Sequence, residues 1–148
     1  MMSAIASTSD SPTADIARQI DRILNTEIEP VIQRYFETLN AGNFQATAAL
    51  FAPNGALHPP FENLVIGEEA IATYLNQEAQ GIKLYPRCIT NRTAIENDLV
   101  QVTVSGHVKT AWFSVNVAWK FVLNPAQEIV YVAIELLATL QELANLRR

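Results

Sequence analysis

Few side chains in this sequence are arranged for covalent or metal chemistry, and those few stand apart from one another. Glu135 lies between Ile134 and Leu136 in an apolar stretch, where a carboxyl can be desolvated and act as a general acid or base. No second carboxylate or histidine stands convincingly with it, and no Ser-His-Asp or Cys-His arrangement is present. His58 and His107 are far apart and outside any metal-ligand spacing, so no metal site is expected. Cys88 is the single cysteine and cannot form a disulfide within the chain. Arg87 and Arg92 flank it and could favour a thiolate able to bridge two copies; the plainer reading is a small, inert thiol. Glu78 reads as a solvated carboxylate near the end of a helix.

The elements that must position these groups follow from periodicity. Residues 1–12 are rich in Ser, Ala, Thr and Pro and read as a flexible leader, with one domain over residues 13–148. Thr13 can cap a helix with Ile16, Ile20, Ile23 and Leu24 as its stripe. A second helix is expected over Glu27 to Asn40, with Ile28, Val31, Ile32, Tyr35 and Leu39 on one face and Gly42 ending it. A short helix from Phe44 to Phe51 follows, then a turn at Pro53, Asn54 and Gly55 before the extended piece ALHPPF. A fourth helix covers Glu68 to Gln80, with Ala70, Ile71, Tyr74 and Leu75 inward and Gly81 as its stop.

Beyond Gly81 the period becomes alternating. Val100, Val102, Val104 and Val108 share one face, and Val117, Trp119, Phe121 and Leu123 repeat the pattern. Asn124 and Pro125 turn the chain into a strand from Ile129 to Leu137. Thr139 and Glu142 have capping-box spacing, and Leu140, Leu143 and Leu146 stripe a tail helix over residues 139–148. Helices first and consecutive antiparallel strands afterwards predict an α+β fold, with helices packed on one face of a curved sheet. Such a sheet often leaves a cone-shaped apolar pocket.

Composition excludes several classes. Of 148 residues, 49% are hydrophobic and 17% charged, which suits a folded domain rather than a disordered chain. The net charge is -5 and the ten Lys and Arg are scattered, so no nucleic-acid partner is expected. No apolar run reaches membrane-spanning length, and the first residues lack the features of a secretory signal. A cytoplasmic location is the expectation, without stable membrane insertion, though transient membrane contact is compatible with it.

Three long stretches carry a resemblance: YFETLNAGNFQATAALFAPNGALHPPFE (Tyr35 to Glu62), AWFSVNVAWKFVLN (Ala111 to Asn124) and the ending YVAIELLATLQELANLRR. Together they resemble the C-terminal domain of the orange carotenoid proteins, within the nuclear-transport-factor-2-like superfamily. The resemblance implies a cone of helices on a curved, mostly antiparallel sheet around an apolar cavity. It also implies a non-enzymatic carrier of a ketocarotenoid, canthaxanthin or echinenone, shared across a homodimer, with singlet-oxygen quenching a plausible consequence. Helical carotenoid proteins related to the N-terminal domain of the same family become candidate exchange partners. The tail helix becomes a candidate lid.

By the same resemblance, Tyr35 and Trp119 match the pair that donates hydrogen bonds to the carotenoid keto oxygen. Trp112 and Leu84 match residues lining the pigment tunnel. Taken alone, Tyr35 and Trp119 would read as ordinary core aromatics. Their chemistry suits the role: a protonated phenol and an indole are neutral donors with large apolar faces. This sequence departs from the family at one place. Four residues found between the two tryptophans of the two-domain proteins are missing, so FSVNVA alone separates Trp112 from Trp119. An even deletion keeps Trp119 facing inward but changes the hairpin that carries Trp112. A domain of this length has a radius of gyration of roughly 15 Å, too small to enclose a whole carotenoid without losing its core. Sharing by two copies resolves this. The rival reading is an isomerase or hydrolase of the same fold built on Glu135.

Overall fold

Pro30 opens the first helix, where its missing N–H costs nothing and its fixed φ suits the first turn. This is α1 (Pro30–Asn40) of a computed structural model that describes residues 28–137. Val31, Ile32, Tyr35, Phe36 and Leu39 form its buried face, and Gly42 terminates it at φ 76°. Helix α2 (Phe44–Ala48) is capped by the Asn43 side chain, which accepts from the Ala46 N–H at 3.2 Å. It ends short of the expected Phe51 because Phe51 is already in a strand, opposite Ile129. Helix α3 (Glu68–Glu78) carries Glu68 and Glu69 in its first turn, where carboxylates suit the helix dipole. It buries Ile71, Ala72 and Leu75, with Ala70 exposed rather than inward, and Gly81 follows at φ 77°. The expected leader, first helix and tail helix lie outside the described residues.

Six strands make one sheet: β1 (Phe51–His58), β2 (Val65–Ile66), β3 (Lys83–Ile95), β4 (Leu99–Lys109), β5 (Ser114–Leu123) and β6 (Ile129–Leu137). Their order is β2-β1-β6-β5-β4-β3, antiparallel throughout except for the parallel β1–β6 pair. The expected turn at Pro53–Gly55 is instead a bulge inside β1. The register jumps from Phe51↔Ile129 to Ala56↔Tyr131, and Asn54 takes φ 63°. Two further register shifts fall in β3, which is an edge strand. Such irregularities bend strands and increase their twist.

The strand alternation expected from the sequence is present. Val102, Val104, Val117, Trp119, Phe121, Leu123 and Val132 are buried and join Val31, Ile32, Tyr35, Phe36, Ile71 and Leu75 in one core. The sheet's other face carries Gln101, Ser105, His107, Lys120 and Glu135. The architecture is therefore α+β, with the described helices covering one face of the sheet. Among the described residues, no helix is long and apolar enough to cross a membrane.

Candidate functional site

Between the helices and the inner sheet face the packing leaves a cavity of about 200 Å³. Helix α1 supplies Tyr35 and Leu39, and α3 with its following turn supplies Tyr74, Leu75, Glu78, Ala79 and Ile82. The strands add Leu57, Leu84, Val108, Val115, Val117, Trp119, Ile134 and Leu136; Pro59 and Pro60 close one side. Alternation explains the strand set, since residues two apart on a strand share a face.

Almost every lining group is apolar, and the polar exceptions carry the chemistry. Tyr35 is 2% exposed and Trp119 1% exposed. Among the described residues, neither the Tyr35 hydroxyl nor the Trp119 indole N–H has a hydrogen-bond partner. Buried donors ordinarily find one, and leaving a donor unmade costs roughly 1–3 kcal/mol. Two such donors beside one apolar cavity form a site suited to a neutral acceptor at the end of an apolar molecule. Burial, with a smaller contribution from Tyr74, pushes the Tyr35 phenol well above its ordinary pKa, so it stays a donor at neutral pH.

Two phenylalanine rings pack against this pair. Phe36 meets Trp119 edge-to-face at 4.8 Å and Tyr35 at 5.5 Å, and Phe121 meets Tyr35 at 5.1 Å. Leu84 is held by Asn40, whose amide accepts from the Leu84 N–H at 2.6 Å and donates to its carbonyl at 2.9 Å. The C-terminal end of α1 is thereby pinned to edge strand β3. Tyr74 donates to Glu62 at 3.1 Å, linking α3 to the loop that bears Pro59 and Pro60.

Of the residues expected at the site, Tyr35, Trp119 and Leu84 come together. Trp112 does not. It is 89% exposed in the loop between β4 and β5, whose backbone is tied by the Thr110 hydroxyl to the N–H groups of Trp112 and Phe113, each at 3.1 Å. The short hairpin closes directly after the Lys109↔Ser114 pair, so the tryptophan stands outside the cavity of the single chain.

Glu135 is also displaced from its expected role as a buried acid. Its neighbours Ile134 and Leu136 face the cavity, so strand parity turns Glu135 to the opposite face, where it pairs with Lys120 at 3.2 Å. Cys88 is exposed on β3, with its sulfur 3.2 Å from the Ser105 hydroxyl. The arginines beside it are engaged elsewhere: Arg87 reaches His107 at 3.1 Å and Arg92 pairs with Glu29 at 3.1 Å. His58 bonds Tyr131 at 2.9 Å, and no cluster able to hold a metal exists among the described residues. Sequence reasoning did not single out Val115, Val117, Ile134 and Leu136 as cavity residues, although two-residue periodicity marks them. Phe36 and Asn40 gave no such signal, because their roles depend on contacts made after folding.

Comparison with known proteins places the chain in a family. An orange carotenoid-binding protein of Limnospira maxima is 38% identical over 133 residues, covering 86% of this chain and 40% of the relative. A second, from a Synechocystis species, is 36% identical over 141 residues, covering 93% of this chain and 44% of the relative. The chain thus spans less than half the length of these relatives. The structure of an Anabaena orange carotenoid protein binding canthaxanthin matches 78% of this chain and 38% of that one, at 38% identity and a TM-score of 0.71. The nuclear transport factor 2 (NTF2) domain matches residues 27–138, and the chain belongs to that family as a homologue of the orange carotenoid protein C-terminal domain.

Proposed function

We propose that this chain is a ketocarotenoid carrier that grips one end ring of the pigment in its cavity. The observation that carries this reading is the pair of buried donors, Tyr35 and Trp119, which have no hydrogen-bond partner among the described residues and lie beside an apolar cavity. A ring carbonyl accepts from both, and the apolar lining surrounds the ring and the first part of the polyene. When bound, the pigment supplies visible absorption and the capacity to quench singlet oxygen. Tyr35 and Trp119 orient it, and Leu84 with the inward-facing valines excludes water.

Cavity size supports sharing between two copies. About 200 Å³ falls below the roughly 300–1,000 Å³ of sites that enclose drug-sized ligands, so one chain holds a ring and not a whole carotenoid. Leu136 lines the cavity and is 44% exposed, which marks an open side where a second copy could continue the tunnel. An isologous dimer joins two such openings around one pigment. Trp112, at the exposed hairpin tip, is available to that shared tunnel rather than to the single cavity. Canthaxanthin or echinenone is the expected ligand. Exchange with helical carotenoid proteins, transient membrane contact and a cytoplasmic location complete the proposal. Exposed Cys88 is the candidate for an intermolecular disulfide, read by non-reducing gels of wild type and Cys88→Ala. An enzyme built on Glu135 loses its basis, because that carboxylate faces away from the cavity.

The test is stoichiometry. Protein purified from canthaxanthin-producing cells should elute as a coloured dimer with one pigment for every two chains. A coloured monomer holding a whole pigment would refute sharing, and a colourless, folded protein would refute carriage.

A further inference from the structure

With no hydrogen bond holding either donor among the described residues, packing alone sets where the Tyr35 hydroxyl and the Trp119 N–H point. Phe36 is the ring in contact with both. It meets Tyr35 at 5.5 Å and 90°, and Trp119 at 4.8 Å and 80°. It also meets Phe121 at 5.9 Å and 77°, and Phe121 in turn meets Tyr35 at 5.1 Å and 87°. Every contact is edge-to-face, a geometry with an angular preference that aliphatic packing lacks. Phe36 itself is 2% exposed and does not line the cavity, so any effect it has on a ligand runs through the donors.

We infer that Phe36 is a positioning residue. Its ring fixes the angles of Tyr35 and Trp119 together and so makes the cavity selective for a ring carbonyl over a hydrocarbon ring. The inference rests on the ketocarotenoid reading and adds the source of its selectivity. Leucine at position 36 keeps an apolar core but removes the one ring that touches both donors, leaving Tyr35 its contact with Phe121 and loosening the angle of Trp119 relative to it.

The test compares wild type, Phe36→Leu and Phe36→Met, each loaded with canthaxanthin or β-carotene. Methionine fills a core gap flexibly and carries the same test should the leucine variant not fold. Both variants should keep wild-type secondary structure and total pigment uptake. Their canthaxanthin-to-β-carotene retention ratio should drop about tenfold, the scale set by losing one well-made buried hydrogen bond. A second readout uses a Trp112→Phe background, in which Trp119 is the only tryptophan. Fluorescence anisotropy decay should then show a freer indole in the Phe36 variants. A selective wild type whose variants keep both its ratio and its rigid indole would overturn the positioning role and leave the carrier reading standing. A wild type that binds both pigments equally would overturn the donor-pair reading and this inference together.

Discussion

Tyr35→Phe separates a ligand-binding hydroxyl from a structural one. The substitution removes a single oxygen and keeps the ring, so the edge-to-face contacts with Phe36 and Phe121 survive. In most buried tyrosines the hydroxyl has a partner, and deleting it costs about 0.5–1.5 kcal/mol or more when the partner is stranded. Here no described residue bonds the hydroxyl, so no partner is stranded. Stability without pigment should therefore stay within about 1 kcal/mol of wild type, or rise, because a desolvated donor has been removed. Pigment selectivity should move the other way. A bound keto oxygen loses one donor, and β-carotene no longer strands it, so the canthaxanthin-to-β-carotene ratio should fall roughly 5- to 150-fold, the equivalent of 1–3 kcal/mol. Urea unfolding of the pigment-free protein gives the first quantity, and absorbance after competitive loading gives the second. A stability loss above about 2 kcal/mol with an unchanged ratio would refute the reasoning, since it would make the hydroxyl part of the scaffold.

Other expectations follow from the same geometry. Glu135→Gln breaks only the half-exposed pair with Lys120, so stability should change by less than about 1 kcal/mol and pigment retention should not change; lost retention would return Glu135 to the site. Gly106 faces Pro86 across β3–β4, and a Cβ there would overlap the Tyr85 carbonyl oxygen. Gly106→Ala should therefore cost about 1–3 kcal/mol in urea unfolding, and wild-type stability would mean that the edge strand yields freely. Burial, the hydrogen bond to Glu62 and the charges of Glu62 and Glu78 push the Tyr74 pKa from 10.0 up to about 12. Its proton is held by the native state after the unfolded chain has released it, so stability should be level below pH 10 and decline from there to about pH 12. Tyr74→Phe should flatten part of that decline, and identical slopes in both proteins would contradict the assignment.

Much of the scaffold is legible in the residues themselves. Alternation at Val117, Trp119, Phe121 and Leu123 places the strand of Trp119 correctly, and Gly42 and Gly81 mark turns that need positive φ. The bulge at Pro53–Gly55 was not legible as such. A turn and a bulge use the same residue types, and only the distant pairing of Phe51 with Ile129 tells them apart. Glu135 shows the opposite difficulty: apolar neighbours suggested burial, while strand parity sends it to the face opposite theirs. Tyr35, Trp119 and Leu84 were recognised as a set through family resemblance, because nothing local distinguishes a donor aromatic from a core one. The outward position of Trp112 follows from a hairpin that closes directly after the Lys109↔Ser114 pair, which only the folded register shows.

The most direct measurement is the visible absorption spectrum of the protein purified from canthaxanthin-producing cells, recorded beside Trp119→Phe. A broad, red-shifted band in the wild type that weakens or shifts in the variant is the outcome expected of a carrier gripping its pigment through Trp119. A colourless wild type with a normal fold, or a coloured one whose band is indifferent to Trp119→Phe, would contradict it.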